Sequence, residues 1–486
     1  MRIFCISLIT FLCSLCFQAD AVVRITCIGA SITYGHGIPD REKQSFSGQL
    51  QQLLGSGYLV KNFGVSGTTM LSKGDYPYIS TPQYQQALKS NPDIVFIDLG
   101  GNDAKLVNRG HLADYESDYK NMISAFRALP SHPRVIIMLP VVSFVKDSTG
   151  IWDPVICKQI IPKARKVAYD TGLEVLDMHP LLIDQPERVP DLIHPDVKGS
   201  AVLARRLYET VLLYRDGQHF DLFSRLAEVK SIPGLDLVSS ANAVESFYGF
   251  HCLTFKLSGR ECRIVKPKIS AAGHPYVWRA RFWGHEPQAD IALLERGYHI
   301  VYCDASELFG NPEAISLWNN FYKLLRKAGL GKKAAMEGMS RGAVYAYNWA
   351  AANPGKIACV YVDNPVLDLK TWPGSPESAK QYPDEHQQFL KDYGLKEGFD
   401  PDSFKGSPID KIAEIVKGGY PNLILCADAD EAVSPETNTL LFEKKVIAAG
   451  GKITVFHKPG AKHHPHSLPN PKIIVDFITG SVSRHP

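Results

Sequence analysis

The sequence predicts an α/β protein with two three-layer α/β/α sandwich domains, one after the other. The chain has 486 residues, which is more than one hydrophobic core usually holds. In two separate regions, short apolar runs alternate with helix-length segments, as in a parallel sheet covered by helices on both faces. A polar stretch at 215–245 with the turn signal Pro233-Gly234 separates these regions and places the domain boundary.

The first 21 residues have the pattern of a secretory signal peptide. Arg2 precedes an apolar run from Ile3 to Phe17, and small residues at 19–21 provide a cleavage pattern. A membrane anchor is the alternative, but the apolar run is short for one. We expect a mature chain that begins near Val22, that is secreted or periplasmic, and that has no stable membrane insertion.

The first predicted domain covers residues 22–218. Its apolar runs predict five strands: VVRITCIG, LVKNFGV, DIVFIDLG, RVIIMLP and LEVLDM. Crossover helices are predicted at 47–54 and 115–129. A last helix at 198–213 has apolar residues at helical spacing.

The second predicted domain covers residues 219–486, with 219–245 as a linker region. The runs HCLTFKL and ECRIVKPK predict an antiparallel hairpin around Ser258-Gly259. Further strands are predicted in YVWRARFWG, YHIVYC, KAAMEGMS, IACVYVDN, NLILCADAD and KITVFHKPG. Helices are predicted in ADIALLERG, at 317–327 and at 342–352.

Composition and cysteine count exclude several classes of protein. Hydrophobic residues make up 45% and charged residues 21% of the chain, as in ordinary globular proteins. The net charge is only +3, without a dense basic tract, so we expect no nucleic-acid partner. Seven cysteines would remain after signal cleavage, and of these Cys252 and Cys262 are close enough in sequence for a local bridge.

Ser31 is the first candidate nucleophile, because it follows a predicted strand in a turn that contains glycines. A serine hydroxyl needs a base to take its proton and a carboxylate to hold that base. Asp191 and His194 in PDLIHPDVKG are three residues apart, so one turn can bring the carboxylate to the imidazole. Gly67 and Asn102 follow other predicted strands and can donate N–H groups to an oxyanion, together with the N–H of Ser31.

These residues occur in the order of the four sequence blocks of the GDSL or SGNH hydrolases. GASITYG with Ser31, NFGVSG with Gly67, GGND with Asn102 and the DLIH segment resemble this family over residues 24–213. The resemblance implies a flavodoxin-like sheet, a Ser31–His194–Asp191 triad, an oxyanion hole from Ser31, Gly67 and Asn102, and no metal. Secreted relatives are often carbohydrate O-acetyl esterases, and others are lipases or thioesterases. Ala30 stands where the family more often has Asp, which changes how the turn is held.

Ser340 is the second candidate nucleophile. Gly338, Ser340 and Gly342 form a G-x-S-x-G pattern between a predicted strand and a predicted helix, the setting of a nucleophile elbow. For the acid we expect Asp430, with Asp428 as the alternative. For the base we expect His463, with His464 in reserve; a surface or adventitious metal-binding tract is the other interpretation of HHPH.

The C-terminal half, from about residue 245, resembles the α/β-hydrolase family, in particular its secreted esterases and prolyl-oligopeptidase-like members. The resemblance implies an oxyanion hole from the N–H of Arg341 and a second N–H near Trp283 or Gly284. The loop that holds Trp283 and Gly284 departs from the common His-Gly-Gly pattern, so the resemblance leaves two candidates for this donor. The segment 369–408 is either a lid or substrate wall, or a solvated insertion.

Two serine sites in one exported chain suggest a substrate with more than one ester. The first hypothesis is that the protein is a secreted serine esterase that acts on polysaccharides and removes acetyl groups, and also methyl or bulkier acyl groups. Each domain would use its own triad, and no cofactor is expected. One alternative makes one half a non-catalytic carbohydrate-binding module. Others make the second domain a lipase or a peptidase, although no propeller-like array of strands is present to gate a peptidase. The sequence leaves the oligomeric state open.

Overall fold

The computed structural model describes residues 22–216, 220–229, 232–237 and 244–483. The predicted signal peptide at 1–21 lies outside these residues, as do parts of the predicted boundary region. Within the described residues, no helix combines the length and the apolar character needed to cross a membrane. Below, the first half means residues 22–216 and the second half means residues 220–483.

The first half contains a parallel sheet in the order β2-β1-β3-β4-β5. All five predicted strands are confirmed. β3 is buried along its whole length, and β1 and β4 along most of theirs, because helices cover both faces of the sheet. The strands are β1 (Val23–Gly29), β2 (Tyr58–Asn62), β3 (Ile94–Asp98), β4 (Arg134–Leu139) and β5 (Glu174–Asp177).

The helices of the first half include the three predicted ones, each within three residues of its expected bounds. A proline or a side-chain cap begins several of them; Thr81, for example, accepts a hydrogen bond from the N–H of Tyr84. The helices are α1 (Ser31–Tyr34), α2 (Arg41–Gln44), α3 (Phe46–Leu54), α4 (Pro82–Lys89), α5 (Tyr115–Arg127), α6 (Asp153–Val155), α7 (Ile161–Thr171) and α8 (Val197–Asp216).

The second half contains a larger mixed sheet. Its path runs β15-β14-β13-β12-β10-β11-β9-β8-β6, and β7 pairs with β8. The predicted hairpin is confirmed, because Leu257 lies opposite Arg260 across the Ser258-Gly259 turn. The strands are β6 (Leu235–Asp236), β7 (Val244–Phe247), β8 (Phe250–Leu257), β9 (Arg260–Lys266), β10 (Tyr276–Ala280), β11 (His299–Cys303), β12 (Ala334–Met339), β13 (Ile357–Asp363), β14 (Asn422–Ala427) and β15 (Ile453–Lys458).

The helices of the second half cover both faces of the parallel part of this sheet. Asn311 caps α11, the third of them, by accepting a hydrogen bond from the N–H of Ala314. They are α9 (Leu222–Glu228), α10 (Gln288–Leu294), α11 (Pro312–Lys327), α12 (Gly342–Ala352), α13 (Pro376–Gln381), α14 (Pro383–Tyr393), α15 (Ile412–Lys417), α16 (Leu441–Ala448) and α17 (Lys472–Ser483).

Part of the predicted linker at 219–245 packs with the second sheet. Leu222 and Leu226 of α9 are fully buried in the second core, and β6 pairs with β8. These apolar residues are few and widely spaced, so the polar composition of the stretch concealed them. The division of the chain into 22–218 and 219–486 stays a prediction.

The two halves contact each other through a shared core and a buried ion pair. Residues of both halves, from Ile28 in β1 to Ile478 in α17, belong to one hydrophobic cluster. The guanidinium of Arg206 on α8 lies 3.3 Å from the carboxylate of Glu295, which also accepts the N–H of Asp177 at 2.7 Å. A cavity of about 680 Å³ lies beside this pair, and neither candidate serine lines it.

The local bridge suggested for Cys252 and Cys262 is wrong. Both thiols are free and buried. Cys252 on β8 packs into the core shared by the halves, whereas Cys262 on β9 packs into the core of the second half. The two side chains therefore leave opposite faces of the sheet and cannot meet.

Candidate active sites

Ser31 begins α1 directly after β1 ends, with only Ala30 between them. Gly29 permits this turn, because a Cβ there would lie 2.2 Å from the Thr33 hydroxyl and 2.5 Å from the carbonyl oxygen of Asp98. The carboxyl ends of parallel strands form the usual binding crevice of such sheets. Ser31 lies in that crevice and remains 8% exposed.

The structure brings Ser31, His194 and Asp191 together in one hydrogen-bonded chain. The Nε2 atom of His194 is 2.8 Å from the Ser31 hydroxyl, and its Nδ1 atom is 2.6 Å from a carboxylate oxygen of Asp191. The other oxygen of Asp191 accepts the backbone N–H of His194 at 2.7 Å and that of Ile193 at 3.0 Å. This is the order of contacts that a serine nucleophile, a general base and an orienting carboxylate require.

Hydrogen bonds keep Asp191 ionised. Partial burial acts to raise the pKa of this carboxyl, but the bonds from the ring of His194 and from the two backbone N–H groups outweigh burial and lower the pKa. Leu192, between acid and base, has a left-handed φ of 72°. This tight turn allows residues only three apart to face each other.

Asp98 and Thr33 hold the Ser31 turn, a pair that the sequence analysis missed. The Thr33 hydroxyl donates to the Asp98 carboxylate at 2.8 Å, and the N–H of Ala30 donates to the carbonyl of Asp98 at 3.2 Å. Burial raises the pKa of Asp98 to about 6, against the opposing effect of the Thr33 hydrogen bond. The turn is thus held from β3 rather than by a side chain at position 30; the signal in the sequence was the acid that ends the apolar run DIVFID.

Asn102 lies near Ser31 with one amide hydrogen engaged. Its side chain is buried and donates to the carbonyl of Thr68 at 3.0 Å, which leaves its second N–H for another acceptor. Asn102 and Ser31 line the same small cavity. Gly67 lies in the loop after β2 with a left-handed φ of 86° and does not line this cavity. Its role as an oxyanion donor stays a prediction.

The cavity beside Ser31 is small and mostly apolar. Its volume is about 40 Å³, which is enough for a small group. It shares Ile151 and Ile193 with a larger apolar cavity of about 530 Å³. The apolar side chains that line it are Ile32, Pro140, Val141, Val142, Ile151, Ile156 and Ile193.

Ser340 occupies a strained elbow between β12 and α12. Its φ is 48°, in the left-handed region that residues with a Cβ seldom adopt. A Cβ at Gly338 would lie 2.7 Å from the carbonyl carbon of Gly342, and one at Gly342 would lie 2.4 Å from the carbonyl oxygen of Ala280. Both glycines of the G-x-S-x-G pattern are therefore required for the close approach of helix and strands, and the elbow exposes the hydroxyl at the end of the strand.

The second candidate triad also forms one chain of hydrogen bonds. The Nε2 atom of His463 is 3.0 Å from the Ser340 hydroxyl, and its Nδ1 atom is 2.7 Å from a carboxylate oxygen of Asp430. Asp428 instead contacts His457 at 2.7 Å. Between the alternatives left open by the sequence, the structure places His463 rather than His464 in contact with Ser340, and Asp430 rather than Asp428 in contact with His463.

Three residues that sequence reasoning missed hold the loop of His463. Asn364, which follows β13, donates to the carbonyl of His463 at 2.7 Å. The buried carboxylate of Asp363 contacts Lys458 at 2.8 Å and accepts the N–H of Ser467 at 2.6 Å. Burial raises the pKa of Asp363, although the charge of Lys458 opposes this. The available signal in the sequence was the segment IACVYVDN, in which the polar pair Asp363-Asn364 ends an apolar run.

The expected oxyanion donors of the second site lie on two elements. Arg341 directly precedes the first residue of α12, so its N–H lies at the positive end of that helix. Gly284 has a left-handed φ of 73° in the loop after β10. The ring of Trp283 contacts Phe247 and Tyr302, with centroids 5.2 and 5.5 Å apart. Gly284 and Trp283 both remain predictions for the second donor.

The segment 369–408 packs beside the second site. It contains α13 and α14, and its aromatic residues Phe389 and Phe404 are buried in the second core. The guanidinium carbon of Arg341 lies 5.5 Å from the ring of Trp372 in this segment, and a guanidinium nitrogen is 4.0 Å from Glu385. These contacts favour a wall beside Ser340 over a solvated insertion.

Two histidine-containing clusters near the triads have metal-binding residue types. The ring nitrogens of His285, His464 and His466 lie within 4.8 Å of one another, next to His463. Burial lowers the pKa of His466 to about 2, and its Nδ1 atom is buried without a hydrogen-bond partner in the described residues. His36 forms a similar group with Asp191 and His194 themselves.

Comparison with known proteins finds similarity within the first half. Residues 27–202 match the model of the GDSL-like Lipase/Acylhydrolase family. An acetylxylan esterase of Xylanibacter ruminicola is 39% identical over 203 residues, which covers 38% of this chain and 42% of that protein. The chain thus spans less than half of the length of this relative.

Two solved structures match parts of the chain at low identity. Est24, a carbohydrate acetylesterase from Sinorhizobium meliloti, matches with a TM-score of 0.32 and 18% identity over 40% of this chain and 99% of its own. Pyrococcus horikoshii acylaminoacyl peptidase matches with a TM-score of 0.37 and 14% identity over 47% of this chain and 41% of its own.

Proposed function

We propose that the first half removes acetyl groups from carbohydrates, since residues 27–202 match the model of the GDSL-like Lipase/Acylhydrolase family. One observation carries the proposal: the Ser31 hydroxyl lies 2.8 Å from the Nε2 atom of His194, beside a small apolar cavity. The 39% identity to an acetylxylan esterase supports a polysaccharide substrate. The predicted signal peptide is consistent with action outside the cell.

The proposed mechanism follows from the contacts of Ser31. Its hydroxyl oxygen attacks the acetyl carbonyl carbon while the Nε2 atom of His194 takes the proton, and Asp191 stabilises the imidazolium that results. The N–H groups of Ser31, Asn102 and Gly67 would bind the oxyanion. The C–O bond to the sugar breaks as His194 returns its proton to the sugar oxygen. Water then attacks the acetyl-serine by the same route and releases acetate.

We propose that the second half is also an ester hydrolase, with Ser340 as nucleophile, His463 as base and Asp430 as the orienting acid. The chain of hydrogen bonds through these residues and the strained elbow at Ser340 support this proposal. Two such sites in one chain would act on a polysaccharide that carries different esters. The rival assignments are a carbohydrate-binding module and a peptidase.

Single serine substitutions test both proposals. Ser31→Ala and Ser340→Ala are measured alone and together on p-nitrophenyl acetate and on acetylated xylan, with Ser124→Ala and Ser403→Ala as exposed controls in each half. We expect each active-site variant to lose one activity by at least about 10⁴-fold and to retain the other. Release of acetate, methanol and hydroxycinnamate from a panel of glycans identifies the ester of each site.

The rival assignments give different results. If Ser340→Ala changes no ester hydrolysis, the second proposal is wrong; binding of the same glycans would then indicate a module that targets the first half. Cleavage of peptide amides that depends on Ser340 would indicate a peptidase. Full activity of Ser31→Ala on acetyl esters, with Ser340→Ala also in place, would refute the first proposal.

A further inference from the structure

Two guanidinium groups lie on the elements next to Ser340. Arg341 directly follows Ser340, and Arg281 directly follows β10, whose last residue Ala280 lies opposite Gly338 of β12. The guanidinium carbons of Arg281 and Arg341 are 4.9 and 5.9 Å from the centroid of the same Phe282 ring. Both cations therefore lie near the end of the strand that delivers Ser340.

These two cations have little compensation from carboxylates. Among the described residues, Arg281 has no ion pair, and its Nε atom is buried without a hydrogen-bond partner. In the described part of the chain, Arg341 has one carboxylate partner, Glu385, at 4.0 Å. Burial and the charge of Arg281 lower the pKa of Arg341 to about 10, which leaves it protonated at neutral pH. Two charged groups held together in this way favour an anion between them.

The nearby Arg279 has a structural role and differs from Arg281 in its contacts. It is fully buried and contacts two carboxylates, those of Asp290 and Glu337. Its Nε atom also donates to the carbonyl of Phe282 at 3.1 Å. Arg279 thus fixes the loop that begins with Arg281, whereas Arg281 itself makes no comparable contact.

The backbone that presents Arg281 is strained. Arg281 and Phe282 have consecutive left-handed φ values of 61° and 46°. Two such residues in succession, neither of them glycine, cost free energy that the surrounding contacts must offset. Conformations of this kind are concentrated at binding and catalytic sites. The loop follows β10, which pairs with β12, the strand that precedes the Ser340 elbow.

Buried aromatic rings support the Arg341 side chain. Besides Phe282, its guanidinium lies near the rings of Phe309 and Trp372, at 5.7 and 5.5 Å, and both of these rings belong to the second core. Planar guanidinium groups bind carboxylates in a bidentate manner. A pair of guanidinium groups beside a carbohydrate esterase site is suited to a sugar that carries a carboxylate.

We propose that the second site acts on esters of carbohydrates that contain a uronic acid, with Arg281 and Arg341 holding its free carboxylate. The inference rests on the proposed esterase activity of Ser340. The carboxylate belongs to a sugar residue near the scissile ester and is not itself the group that is cleaved. The charged pair then selects acidic over neutral substrates.

Binding to the inactive protein tests the carboxylate contact directly. The full-length Ser340→Ala variant is titrated calorimetrically with a xylo-oligosaccharide that bears one glucuronic acid, and with the same oligosaccharide after reduction of its carboxyl to an alcohol. We expect reduction to weaken binding by at least about tenfold. Arg281→Gln, added to Ser340→Ala, should weaken binding of the acidic form by a similar factor and leave the reduced form unchanged. Arg326→Gln, on α11, is the matched control.

Kinetics supply the second measurement. With Ser31→Ala in place, kcat/KM is determined on acetylated forms of the two oligosaccharides. We expect the acidic form to be preferred by at least about tenfold, and Arg281→Gln to abolish the preference through KM. Arg281→Lys, which retains the charge, should keep part of the preference even if the glutamine variant fails to fold.

The outcomes separate this inference from the proposed function. If Ser340 supports hydrolysis but the acidic and reduced forms are bound and cleaved equally, the carboxylate assignment is wrong and the esterase stands. Tighter binding of a sulfated xylo-oligosaccharide than of the uronic acid would overturn the assignment in favour of sulfate. If Ser340→Ala leaves all ester hydrolysis intact, the proposed esterase fails, whatever the titrations show.

Discussion

Replacement of Asp191 by Asn tests the first triad while it preserves the shape of the site. In the wild type, one carboxylate oxygen lies 2.6 Å from the Nδ1 atom of His194, and the other accepts two backbone N–H groups. An amide oxygen can still accept those two N–H groups. Its NH₂ group then faces Nδ1, which must become an acceptor, so the proton moves to Nε2. Nε2 can then no longer take the proton of Ser31.

The magnitude follows from this change of tautomer. Loss of the orienting carboxylate is expected to lower kcat by about 10⁴-fold, or about 5.5 kcal/mol of transition-state stabilisation. Stability should change by no more than about 1 kcal/mol, because the Asp191 side chain is 49% exposed and its backbone contacts remain.

The assay is p-nitrophenyl acetate hydrolysis with Ser340→Ala in place, so that only the first site contributes. Asp196→Asn serves as the control, since Asp196 accepts the N–H of Gly199 at the start of α8 and does not face His194. A fall in kcat of less than about tenfold, with the fold intact, would show that Asp191 does not orient the base.

Four further predictions address the turn, the buried charges, the second site and metal dependence. Gly29→Ala should abolish the first activity and leave the second intact in the same ester assays, because the new Cβ would lie 2.2 Å from the Thr33 hydroxyl. Burial raises the pKa of Asp98 to about 6, so between pH 4 and 6 its carboxyl is protonated in the folded protein but ionised in the unfolded chain. The stability of the wild type should therefore fall as the pH rises from 4 to 6. Asp98→Asn should reduce this fall by about 3 kcal/mol, measured by urea unfolding at pH 4 and at pH 7. Asn364→Ala should lower kcat of the second site by about tenfold or more with little change in KM, because it frees the loop of His463; an unchanged kcat would refute its positioning role. Chelation by EDTA should leave both activities unchanged, because neither proposed mechanism uses a metal ion; inactivation that zinc reverses would contradict them.

Much of the fold was predictable because its strands are buried on both faces. Runs such as DIVFID and RVIIML have no polar alternation, so their length and apolar character predict central parallel strands. Elements with a weaker pattern were missed: α9 has two fully buried leucines within a polar stretch, and its burial depends on the second sheet being present. The cysteine bridge failed for a related reason, since closeness in sequence does not reveal which face of a sheet a side chain occupies.

The sequence by itself determined the two serines and the partners of the first. Asp191 and His194 are three residues apart, so a local turn is sufficient to join them. The glycines around Ser31 and Ser340 permit the tight turns that hold these serines, because a Cβ at Gly29, Gly338 or Gly342 would collide with neighbouring atoms. Tertiary structure alone decided the rest: which of Asp428 and Asp430 contacts His463, that Asp98 holds the Ser31 turn, and that Arg281 and Arg341 share one aromatic ring. Each of these depends on neighbouring strands in the sheet that are distant in the chain, and only the packed fold brings them within a few ångströms.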